Sequence, residues 1–137
     1  MKKKQAFRGL TLLKRSQQAY PAKPATARLE VFPNPEPQRD YTIRFDCPEF
    51  TAMCPVTGQP DFGKIVIEYV PNRACIESKS LKLHLFSYRS TGAFAETIVN
   101  QLLDAVVQAC QPRRATVTGD FAPRGGIAIR VTANFPG

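Results

Sequence analysis

The hydrophobic period of this chain changes twice between residues 41 and 135, and that change constrains the fold class more than any other feature. Tyr41, Ile43, Phe45 and Cys47 alternate with Thr42, Arg44 and Asp46, the period of two of a half-buried strand. Residues 63–71 read as a second strand. Phe94, Ile98, Leu102, Val106 and Cys110 then recur every four residues, flanked by Val99, Leu103 and Val107, with Glu96, Asn100 and Asp104 on a polar stripe. That spacing predicts a long helix, stopped by Pro112, and a shorter helix is expected over about residues 80–89. Alternation returns in Ala115, Val117 and Phe121 and again in Ile127, Ile129, Val131, Ala133 and Phe135, with Pro123-Arg124-Gly125-Gly126 as the hairpin turn. The order is two strands, two helices, two strands. It implies an α+β domain, a four-stranded antiparallel sheet with both helices on one face. The unpaired edges of so small a sheet favour assembly with other copies.

The segments outside this pattern differ in kind. Residues 31–38 carry three prolines and read as an extended connector, neither a regular helix nor an inner strand. Residues 48–62, Pro48 to Phe62, read as a long loop, stiffened by Pro48, Pro55, Gly58 and Pro60. The net charge of +8 suggests an anionic partner until it is divided by position. Residues 1–30 hold eight bases against the single acid Glu30, which leaves eleven bases and ten acids in residues 31–137. We therefore expect a flexible basic leader over 1–30 and one nearly neutral domain over 31–137. No stretch approaches the roughly 20 apolar residues of a membrane span, and no secretory signal is evident, so a soluble cytoplasmic protein is expected. Cys47, Cys54, Cys75 and Cys110 form no C-x-x-C pair and His84 completes no zinc set, so no metal site is expected. The cysteines should be free thiols, each either core filler or reactive.

Three segments carry chemistry. Glu49-Phe-Thr-Ala-Met-Cys54-Pro-Val-Thr-Gly-Gln-Pro-Asp61-Phe places a thiol seven residues before a carboxylate. A cysteine nucleophile needs a thiolate and a neighbour that manages protons. Glu77-Ser-Lys-Ser-Leu-Lys82-Leu-His84 offers two lysines and two hydroxyls, able to hold phosphates or simply to begin an exposed helix. Glu96 stands at the first turn of the long helix, where it could anchor a ligand's donors or favour the helix dipole.

Together these segments resemble the NADPH-dependent 7-cyano-7-deazaguanine reductases, the nitrile reductases of queuosine biosynthesis, in their short single-domain form. The resemblance runs from about Phe32-Pro-Asn-Pro to Phe121-Ala-Pro-Arg-Gly-Gly126, with the Cys54 loop matching the nucleophile loop and Glu77 to Leu83 matching the segment associated with NADPH. It implies the tunnelling fold, ββααββ subunits joined in rings, expected to be decamers, with sites between neighbours. It implies that the Cys54 thiolate adds to the nitrile carbon as a thioimide, that Asp61 supplies a proton, and that two NADPH complete the reduction to the primary amine. Ile76, Glu77, Ser78, Ala95 and Glu96 would line the substrate, Glu96 accepting from the ring N–H and exocyclic amine. On charge grounds Lys79, Lys82 and Arg124, with Ser80 and Gly125, are the candidates for the NADPH phosphates.

Two positions depart from the family's pattern. Ala95 stands where a His usually precedes the substrate-binding Glu, and His84 where an aromatic commonly ends the signature; His84 is read as a structural or surface replacement. Two other functions compete with the reductase. The amidinotransferase relatives acting on deazaguanine in transfer RNA share the thioimide but lack the NADPH segment. A small basic nucleic-acid-binding module is disfavoured by the near-neutral domain.

Overall fold

The computed structural model describes residues 21–24 and 27–137; most of the basic leader expected over 1–30 lies outside the described residues. In chain order the elements are β1 (Val31–Pro33), β2 (Ile43–Met53), β3 (Pro60–Val70), β4 (Ala74–Ile76), α1 (Ser78–Phe86), a 3-10 turn (Ser87–Ser90), α2 (Ala95–Cys110), β5 (Arg114–Arg124) and β6 (Ile127–Phe135). The main sheet is antiparallel throughout, in the order β2-β3-β5-β6, so the expected two strands, two helices and two strands are all present.

α2 forms because its apolar stripe has somewhere to go. Ile98, Val99, Leu102, Leu103, Val106 and Cys110 are buried against Ile65, Ile67, Val117 and Phe121 of the central strands. Glu96, Asn100 and Asp104 face outward as the stripe requires. Phe94, placed by spacing in that stripe, is instead the residue before the helix and stays exposed. α1 starts earlier than the expected 80–89, because the Glu77 carboxylate accepts from the amides of Lys79 (2.8 Å) and Ser80 (2.7 Å) and caps the helix there.

The loop expected over 48–62 is the main correction. β2 continues to Met53 and β3 begins at Pro60, so the connecting turn is only residues 54–59. Both prolines are compatible with strand. Pro48 lies where the β2–β3 register shifts between Cys47 and Phe50, and β2 is an edge strand, so its missing N–H removes no ladder bond on the free side. Pro60 is the first residue of its strand.

Residues 31–38 also hold a short strand. Val31–Pro33 pairs antiparallel with Ala74–Ile76, forming a second, two-stranded sheet. Just before it, Ala27 is buried and its carbonyl meets His84 Nδ1, while Glu30 exchanges hydrogen bonds with the Glu77 amide (2.8 Å) and the Ser80 hydroxyl (2.9 Å). These contacts tie residues 27–30 to α1.

On β6 the alternation holds, yet its inward face is only partly covered. Val131, Ala133 and Phe135 pack against the core, whereas Ile127 is 75% exposed and Ile129 37%. The outer end of the β5–β6 hairpin carries them past the helices.

Candidate active site

Cys54 begins the β2–β3 turn, and the turn is built around it. The Cys54 amide donates to the Gln59 carbonyl (2.8 Å) and the Gly58 amide to the Cys54 carbonyl (2.9 Å). Gly58 takes φ +70°, which a glycine adopts without strain. The Thr57 hydroxyl, the Thr57 amide and the Val56 amide all hydrogen-bond the sulfur and hold the thiol below its ordinary range. The Arg124 charge adds to that effect and partial desolvation opposes it. The remaining cysteines behave as filler: burial pushes Cys47 up, and Cys110 up to about 11.

Asp61 lies on β3 directly after the turn, paired in register with Ala52. Its carboxylate meets Arg124 Nη2 at 2.7 Å, and the same nitrogen donates to the Pro60 carbonyl at 2.8 Å. Arg124 reaches it because β5 runs antiparallel beside β3 and ends there, before Gly125 and Gly126, at φ +54° and +79°, turn the chain into β6. The start of α2 is fastened to the same end. Met53 donates to the Thr91 carbonyl (3.0 Å) and accepts from the Ala93 amide (3.1 Å), and Gly92 sits so close to Pro55 that a Cβ there would lie 3.1 Å from its Cα. Cys54, Asp61, Arg124 and the segment leading to Ala95 and Glu96 therefore gather at one end of the sheet.

The α1 residues lie at the other end of the helix layer. β2 and α1 border a groove of about 720 Å³, lined by Asp46, Cys47 and Thr51 from the strand and by Ser78, Lys82 and Arg89 from the helix and its 3-10 extension. Glu77 caps the far end of α1, a helix length of about 13 Å at 1.5 Å per residue from its C-terminus, where the path to Met53 and Cys54 begins. Ile76 is buried and its amide is held by the Tyr69 hydroxyl at 2.8 Å. Ser80 is buried, its hydroxyl donating to the Glu77 carbonyl at 2.7 Å and accepting from Glu30.

A family model described as "QueF-like protein" matches residues 60–136. Among curated relatives, the NADPH-dependent 7-cyano-7-deazaguanine reductase of Anaeromyxobacter sp. (strain Fw109-5) is 56% identical over 113 residues, 82% of this chain and 92% of that one. That of Nitrosococcus oceani is 54% identical over 107 residues, 78% of this chain and 83% of its own. The chain belongs to this reductase family. A solved structure, the apo form of an archaeosine synthase QueF-Like, covers 73% of this chain and 98% of its own at TM-score 0.68 and 24% identity, a likeness of fold alone. The tunnelling fold is thus the fold of this reductase chain, and the amidinotransferase alternative draws no support beyond that shared fold.

Within the reductase family's pattern, the structure divides the residues expected to bind NADPH. Lys82 lines the groove beside α1, Lys79 is exposed on the same helix outside the groove's lining, and Arg124 and Gly125 belong to the Cys54 end. Two residues missed in the sequence complete the groove. Arg89 stacks its guanidinium 3.9 Å above the Phe86 ring, and both face the groove with Lys82. Phe86 stands four residues after Lys82 and Arg89 three after Phe86, and that spacing on a helix and its 3-10 extension was the available signal. His84 is buried, pushed below its ordinary pKa by desolvation, against which the Ala27 carbonyl contact works. It is a structural residue, away from the Cys54 end.

Proposed function

We propose that this chain reduces the nitrile of 7-cyano-7-deazaguanine to the primary amine of 7-aminomethyl-7-deazaguanine in queuosine tRNA modification, in the cytoplasm. Cys54 is the nucleophile and Asp61 the proton carrier. The observation that carries the reading is the Cys54 turn, where three donors favour the thiolate a few residues before an arginine-held carboxylate. Cys54 Sγ forms the bond to the nitrile carbon while one carbon–nitrogen π pair moves to nitrogen. Asp61 takes the proton given up by the thiol and passes it to that nitrogen, and Arg124 fixes the carboxylate for both transfers. Glu96, exposed in the first turn of α2, accepts from the base's ring N–H and exocyclic amine. Ala95 leaves room beside it where relatives of the family carry a His.

The groove beside α1 fits an anionic cofactor. Its floor is apolar, from Phe45, Cys47, Phe50, Leu81 and Leu85, and among the described residues neither Lys82 nor Arg89 has a carboxylate within ion-pair distance. Lys82 would hold NADPH phosphates there, with Lys79 at its rim, and two NADPH bound in turn would supply one hydride each per nitrile. The Ser80 hydroxyl is committed within the chain and Glu77 is committed to capping, so both shape the segment from the side rather than reaching a phosphate. Lys82→Ala is expected to raise the KM for NADPH about tenfold, the size of one charge-assisted phosphate contact, with little change in kcat. Steady-state kinetics at varied NADPH check it.

Self-association into rings, taken as decamers, belongs to the same reading. Glu77 and Ser78 begin α1, whereas Cys54 follows Met53, which is tied to Thr91 and Ala93 beyond the other end of that helix, and this separation supports a pocket closed by a neighbour. Val56 (81% exposed) and Phe62 in and after the Cys54 turn, and Ile127 and Ile129 on β6, leave apolar surface for that neighbour to cover.

Intact-mass measurement tests the reaction. Mixing the protein with the deazaguanine nitrile should add the nitrile's mass, and NADPH should then clear the adduct while about two cofactors are consumed per nitrile. An adduct that persists in NADPH but yields to ammonia overturns the reduction.

A further inference from the structure

His84, the one histidine of the chain, is buried on α1 at 6% exposure. Its Nδ1 meets the Ala27 carbonyl. A carbonyl can only accept, so Nδ1 carries the proton of the neutral ring and Nε2 is left bare. Nε2 is buried as well, and it has no hydrogen-bond partner among the described residues. The buried Tyr88 ring packs nearly perpendicular to the imidazole, 5.9 Å between centroids, and its hydroxyl donates to Gln101 Oε1 at 3.1 Å. The Ala27 contact is one end of a tie. At the other end the Glu30 amide donates to the Ser80 hydroxyl (2.9 Å) and the Glu30 carbonyl accepts from the Glu77 amide (2.8 Å), so the same few residues fix the start of α1. Directly afterwards β1 pairs with β4, which confines any release of the tie to the residues before Val31.

We propose that His84 is a proton-operated latch: as the neutral ring it holds residues 27–30 against α1, and with them the start of the Glu77–Lys82 segment, and as the cation it releases them. Protonation puts a positive charge and a second N–H donor on Nε2, the atom that is closed to solvent and has no acceptor. Burial already pushes the ring below its ordinary pKa, and the Ala27 contact only partly opposes that. Held, the ring excludes the proton; released into solvent, it takes one near pH 6.5. The tie is therefore at full strength above about pH 6.5 and weakens as pH falls from there toward the lowered pKa of the held ring, by at most about tenfold per pH unit for one proton. The other groups around it do not reverse this. Arg28 lines the same groove from the tied segment and has the wrong sign to stabilise a cationic ring, and Asp104, exposed on α2, lines it without bonding Nε2. The Tyr88 phenol is pushed up to about 12 by burial and stays neutral. Glu30 enters the tie through its backbone alone. The Glu77 carboxylate is held below its ordinary range by the Lys79 and Ser80 amides, so the helix cap keeps its charge throughout this window.

Any effect on turnover rests on the Glu77–Lys82 segment holding ligand, whereas the latch itself is tested on the protein alone. Hydrogen–deuterium exchange by peptide mass, corrected for the intrinsic rate at each pH, reads the tie at residues 27–30 and 77–80. Between pH 7.5 and 5.5 their protection should fall several-fold, and at most about tenfold, while peptides from the centre of the main sheet keep theirs. In His84→Asn the side-chain amide donates to Ala27 as Nδ1 does but does not titrate, so protection should stay flat over the same interval. His84→Phe keeps a ring without a donor and should be less protected at pH 7.5 and equally flat. A wild-type tie that is unchanged between the two pH values overturns the proposal. So does an equal fall in both variants, because the proton would then act elsewhere. The wild-type chain also gives a check that needs no variant: its single histidine yields one imidazole resonance, and a titration midpoint at or above pH 6.5 overturns the latch. Loss of the latch leaves nitrile reduction standing, and failure of the nitrile adduct leaves the exchange result unaffected.

Discussion

Cys54→Ala is expected to give no mass adduct with the deazaguanine nitrile and to lower NADPH-dependent turnover by at least about a thousandfold, as removal of a covalent nucleophile does. The fold should not suffer. Cys54 is half-buried in a turn held by backbone hydrogen bonds, so the substitution should stay within about 0.5 kcal/mol of wild type in urea unfolding. Nitrile binding should also survive, because Glu96 and the start of α2 do not depend on the sulfur; equilibrium dialysis against the nitrile measures it. Together these results separate a lost reaction from a lost structure. The alternative nucleophiles are poor ones. Cys47 and Cys110 are pushed toward the thiol by burial, and the Cys110 S–H already donates to the Val106 carbonyl at 3.4 Å. An adduct that persists in Cys54→Ala, mapped to any of the other three cysteines, would overturn the assignment.

How much of this was legible follows from the range of each signal. α2 and the strand alternations are local patterns, and burial of one face reproduces them almost residue for residue. The β2–β3 turn was read as a loop over 48–62 because two prolines interrupt the alternation, and a proline's meaning depends on whether its strand is an edge, which only the sheet order decides. β1 could not be read at all from Val31–Pro33, since its partner, Ala74–Ile76, lies some forty residues away. The Cys54–Asp61 spacing singled out one segment, and the turn supplies what spacing lacks, the donors that lower the thiol. Arg124 shows the opposite limit. Its charge was visible and its partner was not, so a base assigned to phosphates stands beside Asp61. Ser80 likewise reads as a free hydroxyl until Glu30 and Glu77 are seen to use it.

Gly119→Ala is expected to be the most damaging single-methyl change in the sheet. Gly119 pairs with Ile65 on β3 and Val131 on β6, at the centre of the sheet, with α2 lying across it. A Cβ there would stand 2.8 Å from Val99 Cγ2, 2.8 Å from Phe121 Cε2 and 3.3 Å from Ile65 Cδ1. None of these atoms is the loose end of a flexible chain. Val99 and Ile65 are fully buried β-branched residues with few rotamers, and Phe121 is wedged against Phe50. Relief must come from moving α2 off the sheet, at a cost of about 1–3 kcal/mol, or roughly 4–12 °C in Tm for a domain of this size. The displacement has a functional reading as well. The start of α2 carries Glu96 and continues from the segment that Met53 holds at Thr91 and Ala93, one residue before the nucleophile. Lifting the helix should therefore weaken nitrile binding more than it changes the pH midpoint of Cys54, whose donors all lie inside the turn. Val99→Ala in the same chain removes one of the two closest contacts, so the double variant should recover part of the lost Tm although Val99→Ala alone is destabilising. Additive losses in the pair would show that the methyl is accommodated elsewhere and that glycine is not what lets α2 approach the sheet.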